Sequence, residues 1–435
     1  MNTLKELSNR RFGSLGVENC DVAIIGAGAA GLAAGRALVR QSATVCVVEA
    51  RDRIGGRALT DHKTFGAPFD RGCTYLHHGS RNPLLKLARS KSVKTVPIQK
   101  EEKSKIWVGD REATASEYDE IKKQELAIEA ALLAAGRKRY DVSATQAIGH
   151  LPPSKWSEMV NSWFEFGCPF DQASVIDWYN NEGGPDFLCP SGLGDLICGL
   201  GEHVPVELNT TVLEVHRSAQ AVRLVTNRGS ISCSYCIVTA PVAVLNAGVI
   251  RFVPQLPNWK LEAFAGMISC NYLSIGLQFS DPKLLPVKKN AWFVPWIPDE
   301  GQLMFLNNVA GQGICRAETG ADAALELLAL GERGAISHAV DVLANALGSN
   351  VRRQFITGSF TDWQTDPFSR GAWAWTASGQ ADCRRELARA VDDRLLFAGE
   401  ACHETMFATC HGAMLSGLSV AKHIISRERA HRRNY

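Results

Sequence analysis

A chain of 435 residues is too long for one ordinary core, so two closely packed domains are expected. Its 46% hydrophobic and 21% charged content is that of a water-soluble globular protein, and a formal net charge of +2 gives no electrostatic reason to bind nucleic acid or an anionic membrane. No apolar run approaches the roughly 18 residues of a membrane span.

Residues 1–19 read as a polar lead-in. Arg10-Arg11 suits an export signal, but the next apolar stretch, Val22 to Ala34, carries a glycine loop that cleavage would destroy. Cys20 to Ile25 is a short β-rich run. The turn Gly26-Ala27-Gly28-Ala29-Ala30-Gly31 and an Ala/Leu-rich stretch to Arg40 follow it. A second β-run, Thr44 to Val48, ends in Glu49, which completes a strand–turn–helix–strand–acid unit. Glu112 to Gly136 has helical spacing, and Asp171 to Asn181 reads as a further helix. Val206 to Val215, Val222 to Thr226 and Ser230 to Thr239 alternate as a β-meander turned by Asn-Arg-Gly. Tyr272 to Phe279 is another strand, Ala321 to Leu347 a helical stretch, and Arg394 to Phe397 a last strand before Gly399. The solvated basic end, Arg427 to Arg433, closes the chain.

The thirteen cysteines are scattered and odd in number, which predicts reduced thiols and a cytoplasmic location. Cys233 and Cys236 lack the second pair a zinc site would need and read as core thiols; no metal is expected. His77 and His78 are adjacent on an extended segment, so their rings point apart and do not share an ion.

The glycine loop is built for a dinucleotide. Gly26 permits the tight turn, Gly28 lets backbone approach a pyrophosphate, and Gly31 lets the helix lie close on the strand. The positive helix end binds the phosphates, with Ala30 in its first turn. Glu49, flanked by Ala50, accepts hydrogen bonds from ribose hydroxyls. No second strand-linked loop of this kind exists, since Gly192-Leu193-Gly194 lacks the context, which argues against a nicotinamide-fed reductase or monooxygenase. No nucleophile elbow marks a hydrolase.

Arg51-Asp52-Arg53-Ile54-Gly55-Gly56-Arg57, directly after the acid, resembles the extension of glutathione-reductase-type flavoproteins, most closely the flavin-containing amine oxidases. The resemblance continues in four further blocks: Phe69 to His77, Leu208 to Val212 with Thr239-Ala240-Pro241, Leu396 to Glu400, and Thr409 to Ala413. It implies an α/β fold in which a Rossmann-like FAD-binding domain is interwoven with an α+β substrate domain. On the family pattern the first comprises 20–90, 190–269 and 354–435, and the second 91–189 and 270–353. It implies FAD contacts from Arg51, Gly56 and Arg57 at the pyrophosphate, and from the backbone of Gly72, Cys73, Thr74 and Tyr75 along the flavin ring. Val212 would meet the adenine, Gly399 and Glu400 the ribityl chain, and Thr409 to Ala413 the N1–C2 edge.

The substrate side departs from the family. Gly371-Ala372-Trp373 stands where relatives carry an aromatic beside the flavin, so Trp373 either stacks beside the amine or belongs to the core with Trp375. Ala372, where covalent flavoproteins carry cysteine, implies non-covalent FAD. Thr409 takes the place of the second cage aromatic. Ser274 aligns with a lysine linked to reaction with dioxygen, or is an ordinary strand serine one register away. His77 is a base or polar substrate contact, or a satisfied loop histidine, while His403 and Glu404 are placed on the approach to the cofactor. The resemblance implies hydride transfer from a small amine to FAD, with dioxygen or another acceptor reoxidising it and a homodimer left open. The alternatives are a C–C desaturase and a flavin-binding protein without turnover.

Overall fold

The computed structural model describes residues 15–99, 104–151, 155–181, 183–296 and 303–433. Most of the polar lead-in, with Arg10-Arg11, lies outside them. β1 (Asn19–Ile25) runs into α1 (Ala29–Val39) and then β2 (Val45–Val48). The chain leaves this unit through β3 (Lys105–Val108), β4 (Arg111–Glu112), α2 (Ala115–Arg137) and α3 (Val175–Asn180), and returns through α4 (Leu193–Cys198) and β5 (Val206–Glu207). The meander follows as β6 (Val212–Arg217), β7 (Val222–Thr226) and β8 (Gly229–Val238), then β9 (Arg251–Val253). A second excursion contains β10 (Tyr272–Phe279), β11 (Trp292–Trp296), β12 (Met304–Leu306), β13 (Ile314–Gly320), α5 (Ala321–Ala329), α6 (Gly331–Leu347) and β14 (Phe355–Thr361). It comes back through α7 (Cys383–Ala388), β15 (Leu395–Phe397) and α8 (Cys410–Arg433).

Two main sheets result. The first has the order β5-β2-β1-β8-β7-β6-β9, with β15 also on β8. On the edge away from β1, β8 is long enough to serve two partners: residues 229–233 pair antiparallel with β7, and 236–238 pair parallel with β15. β1 lies parallel between β2 and β8, and its apolar run Val22–Ile25 is buried on both faces, as a central parallel strand must be. α1 and α8 cover one face. A Cβ on Gly31 would stand 2.0 Å from the Gly26 carbonyl oxygen, and one on Gly417 2.1 Å from that of Ala30, so only glycine lets strand and helices approach this closely. The second sheet has the order β14-β10-β13-β12-β11-β3-β4, with α5 and α6 packed on its core side.

Three expectations change in detail. The helical stretch 321–347 is broken by Gly331, whose φ of +67° suits glycine and not a helix interior, so it forms α5 and α6. The helix expected from Asp171 starts only at Val175, because Ser174 caps it by accepting from the Asp177 N–H at 3.1 Å and Ala173 bridges to Ala377. β14 falls within 354–435, grouped with the first unit on sequence, yet it hydrogen-bonds to β10 of the second sheet. Cys233 and Cys236 lie in the core of the first sheet.

Candidate active site

The carboxyl ends of β1 and β2 open onto a cleft. Gly26, at φ +102°, turns the chain so that its N–H donates to the Val48 carbonyl at 2.8 Å. α1 then starts at Gly28 with no side-chain cap and no acid in its first turn, leaving its positive end free for an anion. Glu49, 4% exposed, is held by the N–H groups of Ala27 and Arg51, both at 2.9 Å. This fixes the acid at the rim of the glycine turn. The second glycine turn closes over the first, with Gly28 and Gly56 backbone to backbone and the Gly55 N–H donating to Ala27 at 2.8 Å. Gly26, Gly28, Ala30, Glu49, Ala50, Arg51, Gly56, Arg57, Cys73, Val212, Gly399, Glu400, Thr409 and Ala413 all line the cleft. Gly31 sits behind it. Nothing lies within 4 Å of where a Cβ on Gly399 would point, so the cradle is open where a cofactor would pass. Together with the uncapped helix and the buried acid at the rim of the turn, this cradle fits a flavin dinucleotide.

Two arginines tie the cleft to distant chain. Arg51 donates to Asp366 at 2.6 Å and Ser369 at 2.8 Å and stacks over Phe368, a segment the sequence reading missed because no spacing marks it. Arg57 donates to the Ala372 carbonyl at 2.6 Å and pairs with Glu400 at 3.2 Å. The other Glu400 oxygen accepts from the N–H groups of Ala408 and Ala374 at 3.2 and 3.4 Å. A Cβ on Gly72 would meet the Arg57 carbonyl oxygen at 1.9 Å, so glycine is required where this segment crosses the second turn.

Beyond Arg57, Cys73, Trp373, Thr409 and Cys410, which border both spaces, lies a second chamber of about 490 Å³. Gly72, Thr74 and Tyr75, expected at the cofactor, line this side. Trp373 borders both cleft and chamber while its ring packs on the core cluster that holds Trp375; its indole N–H donates to the Phe166 carbonyl at 3.2 Å, whereas Trp375 is buried against Phe166 and Phe407. The partner ring of Trp373 is Tyr272, 4.8 Å away on β10, which the sequence reading did not single out. Thr409 has a different task from a cage aromatic: its hydroxyl accepts from the Gly412 N–H at 3.0 Å and so caps α8.

One stretch of the chamber wall is polar. Buried Arg316 donates to Glu318 at 2.5 Å, to the Gly72 carbonyl at 3.2 Å and to that of Asp70, and the Tyr75 hydroxyl donates to Glu318 at 2.6 Å. Asp70 accepts from the Leu193 and Gly194 N–H groups at 2.8 and 3.0 Å, so Gly192-Leu193-Gly194 opens α4 under an acid cap. His77 pairs with Asp186 at 3.1 Å; burial works against its charge, but Asp186 and then Glu165 outweigh it and raise the imidazole above its ordinary value. Glu165 faces the same space, and loss of bulk water around it pushes its carboxyl up. Ser274 lies on the chamber wall, 4% exposed, opposite Glu318 on one side and Thr361 on the other; its hydroxyl and that of Thr361 have no hydrogen-bond partner among the described residues.

His411 and His403 line neither space. His411, 1% exposed, lies against His78 and within 3.3 Å of the Asn82 amide, and burial, with the neighbouring histidines, lowers it to about 3. His403 accepts from the N–H groups of Thr405 and Met406 at 3.3 and 3.1 Å in a turn. Neither it nor Glu404 lines either chamber, a correction to their expected place. No cluster of three metal-ligating side chains occurs among the described residues, and no described helix is long and apolar enough to cross a membrane.

A dinucleotide cleft opening into an aromatic, acid-lined chamber defines a flavin-dependent oxidoreductase. The sequence pattern of the flavin containing amine oxidoreductases matches residues 29–425, and the chain belongs to that family. It is 28% identical to polyamine oxidase 4 of Oryza sativa subsp. japonica over 92% of this chain and 87% of that protein. It is 30% identical to lysine-specific histone demethylase 1 homolog 3 of Oryza sativa subsp. indica, covering 93% of this chain but only 54% of that longer protein. In fold it is similar to putrescine oxidase bound to putrescine, with a TM-score of 0.80 at 19% identity over 94% of this chain and 100% of that one. Cyclohexylamine oxidase from Brevibacterium oxydans gives 0.78 at 18%, over 94% and 99%. The fold is that of the FAD-dependent amine oxidases, and the protein is an enzyme of that class.

Proposed function

We propose that the chain oxidises the C–N bond of a small amine, holding FAD without a covalent link and passing the electrons to dioxygen or another acceptor. The juxtaposition of Trp373 and Tyr272 at the junction of cleft and chamber carries this reading. When bound, FAD supplies a hydride acceptor. The two rings hold the amine by its apolar part and turn its C–H bond toward the cleft. Glu165 and Asp186 draw a protonated amine inward, and the apolar end favours its neutral form, the one able to release hydride. Ala372, preceding Trp373, offers no thiol for a covalent bond. Putrescine and polyamine oxidases among the similar proteins support an amine substrate. Thirteen unpaired cysteines support a cytoplasmic site of action.

Anaerobic titration of the purified yellow protein with a panel of amines and amino acids tests the reaction. Bleaching of the flavin by an amine is expected. Bleaching only by a polyene or porphyrinogen would move the chemistry to C–C desaturation, and no bleaching by any metabolite would leave a flavin-binding protein without turnover. The electron acceptor turns on Ser274: Ser274→Lys should quicken reoxidation by dioxygen several-fold in a stopped-flow trace, and an unchanged rate would remove Ser274 from this step.

A further inference from the structure

Between β14 and the short strand Ala374–Thr376 runs a segment, 362–373, with no helix or strand of its own. It passes between the two spaces: Trp363 lines the chamber, Phe368 and Ser369 line the cleft, and Ala372 and Trp373 border both. Irregular connections of this length are uncommon inside a compact fold and usually serve a function. The segment closes on itself. The Gly371 N–H donates to the Trp363 carbonyl at 2.9 Å, and the N–H groups of Ser369 and Arg370 donate to the Asp366 carbonyl at 3.2 and 2.9 Å.

This loop is fastened on two sides. On the cleft side, Arg51 Nη2 donates to the Asp366 carboxylate at 2.6 Å and to the Ser369 hydroxyl at 2.8 Å, and its guanidinium lies 5.4 Å from the centre of the Phe368 ring. The same Asp366 oxygen accepts from the Phe368 N–H at 2.8 Å, so one carboxylate both shapes the loop and ties it to Arg51. Arg57 adds its bond to the Ala372 carbonyl at 2.6 Å. On the chamber side, the Gln364 amide donates to the Tyr272 carbonyl at 3.1 Å, and backbone bonds of 2.9 Å join Cys270 to Ala372 and to Trp373. The Arg51 and Asp366 side chains are only 12% and 25% exposed, so solvent ions screen this pair less than a surface one. Both Arg51 bonds leave from one nitrogen, and the other protons of its fork stay uncommitted to the loop.

We propose that Asp366 and Ser369 are positioning residues: through Arg51 they hold the 362–373 loop on the cofactor cleft and so fix Trp373 beside Tyr272. The two rings of that pair are supported differently. Tyr272 starts a strand paired on both edges, β10, whereas Trp373 ends an irregular segment, so its place depends on what tethers that segment. Asp366 lines neither space and acts only through Arg51 and the loop. A shift of about 1 Å in an orienting group is enough to spoil the alignment of a reacting bond. The consequence for rate rests on the amine oxidation proposed above; the tether itself does not.

The test compares FAD-loaded wild type with Asp366→Ala, Asp366→Asn and Ser369→Ala. In Asp366→Ala the amide hydrogens of 366–373 should exchange about tenfold faster, with β1 and α1 unchanged and FAD retained. For the amine that best bleaches the wild-type flavin, kcat should fall about 10- to 100-fold with KM within roughly threefold, because orientation and not binding is lost. Asp366→Asn, whose amide oxygen still accepts from Arg51 and Phe368, should recover most of both effects. Ser369→Ala should shift them the same way by a smaller factor, about threefold, and carries the test if Asp366→Ala does not fold. Wild-type exchange over 366–373 in these variants overturns the proposal. A rise in KM alone also overturns it, as does a colourless variant, which would make the tether a device for retaining FAD. If no amine reduces the wild-type flavin, the functional reading fails while the exchange map still decides the tether.

Discussion

The cofactor cleft and the substrate chamber share a boundary but are made of different material. The cleft is built from backbone: two glycine turns, an uncapped helix and carboxylates held by N–H groups. The chamber is built from side chains that arrive from at least five separate stretches of chain, with Tyr75, Glu165, Tyr272, Glu318 and Trp373 facing one space. Backbone shape tolerates almost no change in the residues that form it. A side-chain wall can be altered one group at a time, which is how one cofactor fold serves many amines.

If that contrast is right, damage to the cleft should be total and damage to the chamber graded. Gly31→Val places a Cβ where the Gly26 carbonyl oxygen lies 2.0 Å away, and α1 has to lift from β1. Flavin content per chain, read from the visible absorbance of purified protein, should drop to near zero, with a stability loss of roughly 3 kcal/mol or more in urea. A normally yellow Gly31→Val protein would break the comparison at its strongest point. Next in size is Arg316→Met, which leaves the Glu318 carboxylate buried without its cation and should cost about 3–5 kcal/mol. Adding Glu318→Leu should recover most of that loss while FAD still binds; failure to recover would mean Arg316 matters through the Asp70 and Gly72 carbonyls instead.

His411 gives a pH signature at the seam. Its folded value of about 3 lies below the ordinary histidine value, so on acidification the unfolded chain takes up a proton that the folded chain refuses. The stability it contributes is therefore complete above the unfolded value of roughly 6.5 and is lost as pH falls toward the folded value, with a slope approaching 1.4 kcal/mol per pH unit. His411→Gln should flatten this acid limb in urea melts taken across that window; an unaltered limb would assign it to other groups. The smallest effect is expected at Asp186→Asn, which removes one chamber charge. KM for a cationic amine should rise about tenfold, roughly 1.4 kcal/mol, with kcat within twofold, because the charge gathers substrate without touching the reacting bond. A fall in kcat alone would place Asp186 in the chemistry.

The same contrast separates the residues that local sequence reveals from those it hides. Gly26, Gly28, Gly31 and Glu49 are legible because backbone geometry dictates residue type at fixed spacing, and Arg57 and Glu400 because they follow such landmarks closely. Tyr272 is not legible: it is one aromatic in an ordinary alternating strand, and only the placement of β10 brings it 4.8 Å from Trp373. Asp366 and Ser369 escape notice because their partner, Arg51, is some three hundred residues distant. Thr409 looks like a gap in an aromatic cage, and its use as the cap of α8 emerges only with the helix start.

Taken alone, the sequence settled the dinucleotide turn, the strand–helix–strand unit around it and the kinship with flavin amine oxidoreductases, since each depends on contacts within a short span of chain. The tertiary structure decided which tryptophan borders both cleft and chamber, that β14 belongs to the second sheet and which acids line the cavity. Those are contacts between segments far apart in the chain, and no local pattern encodes which distant partner folding will bring to a given side chain.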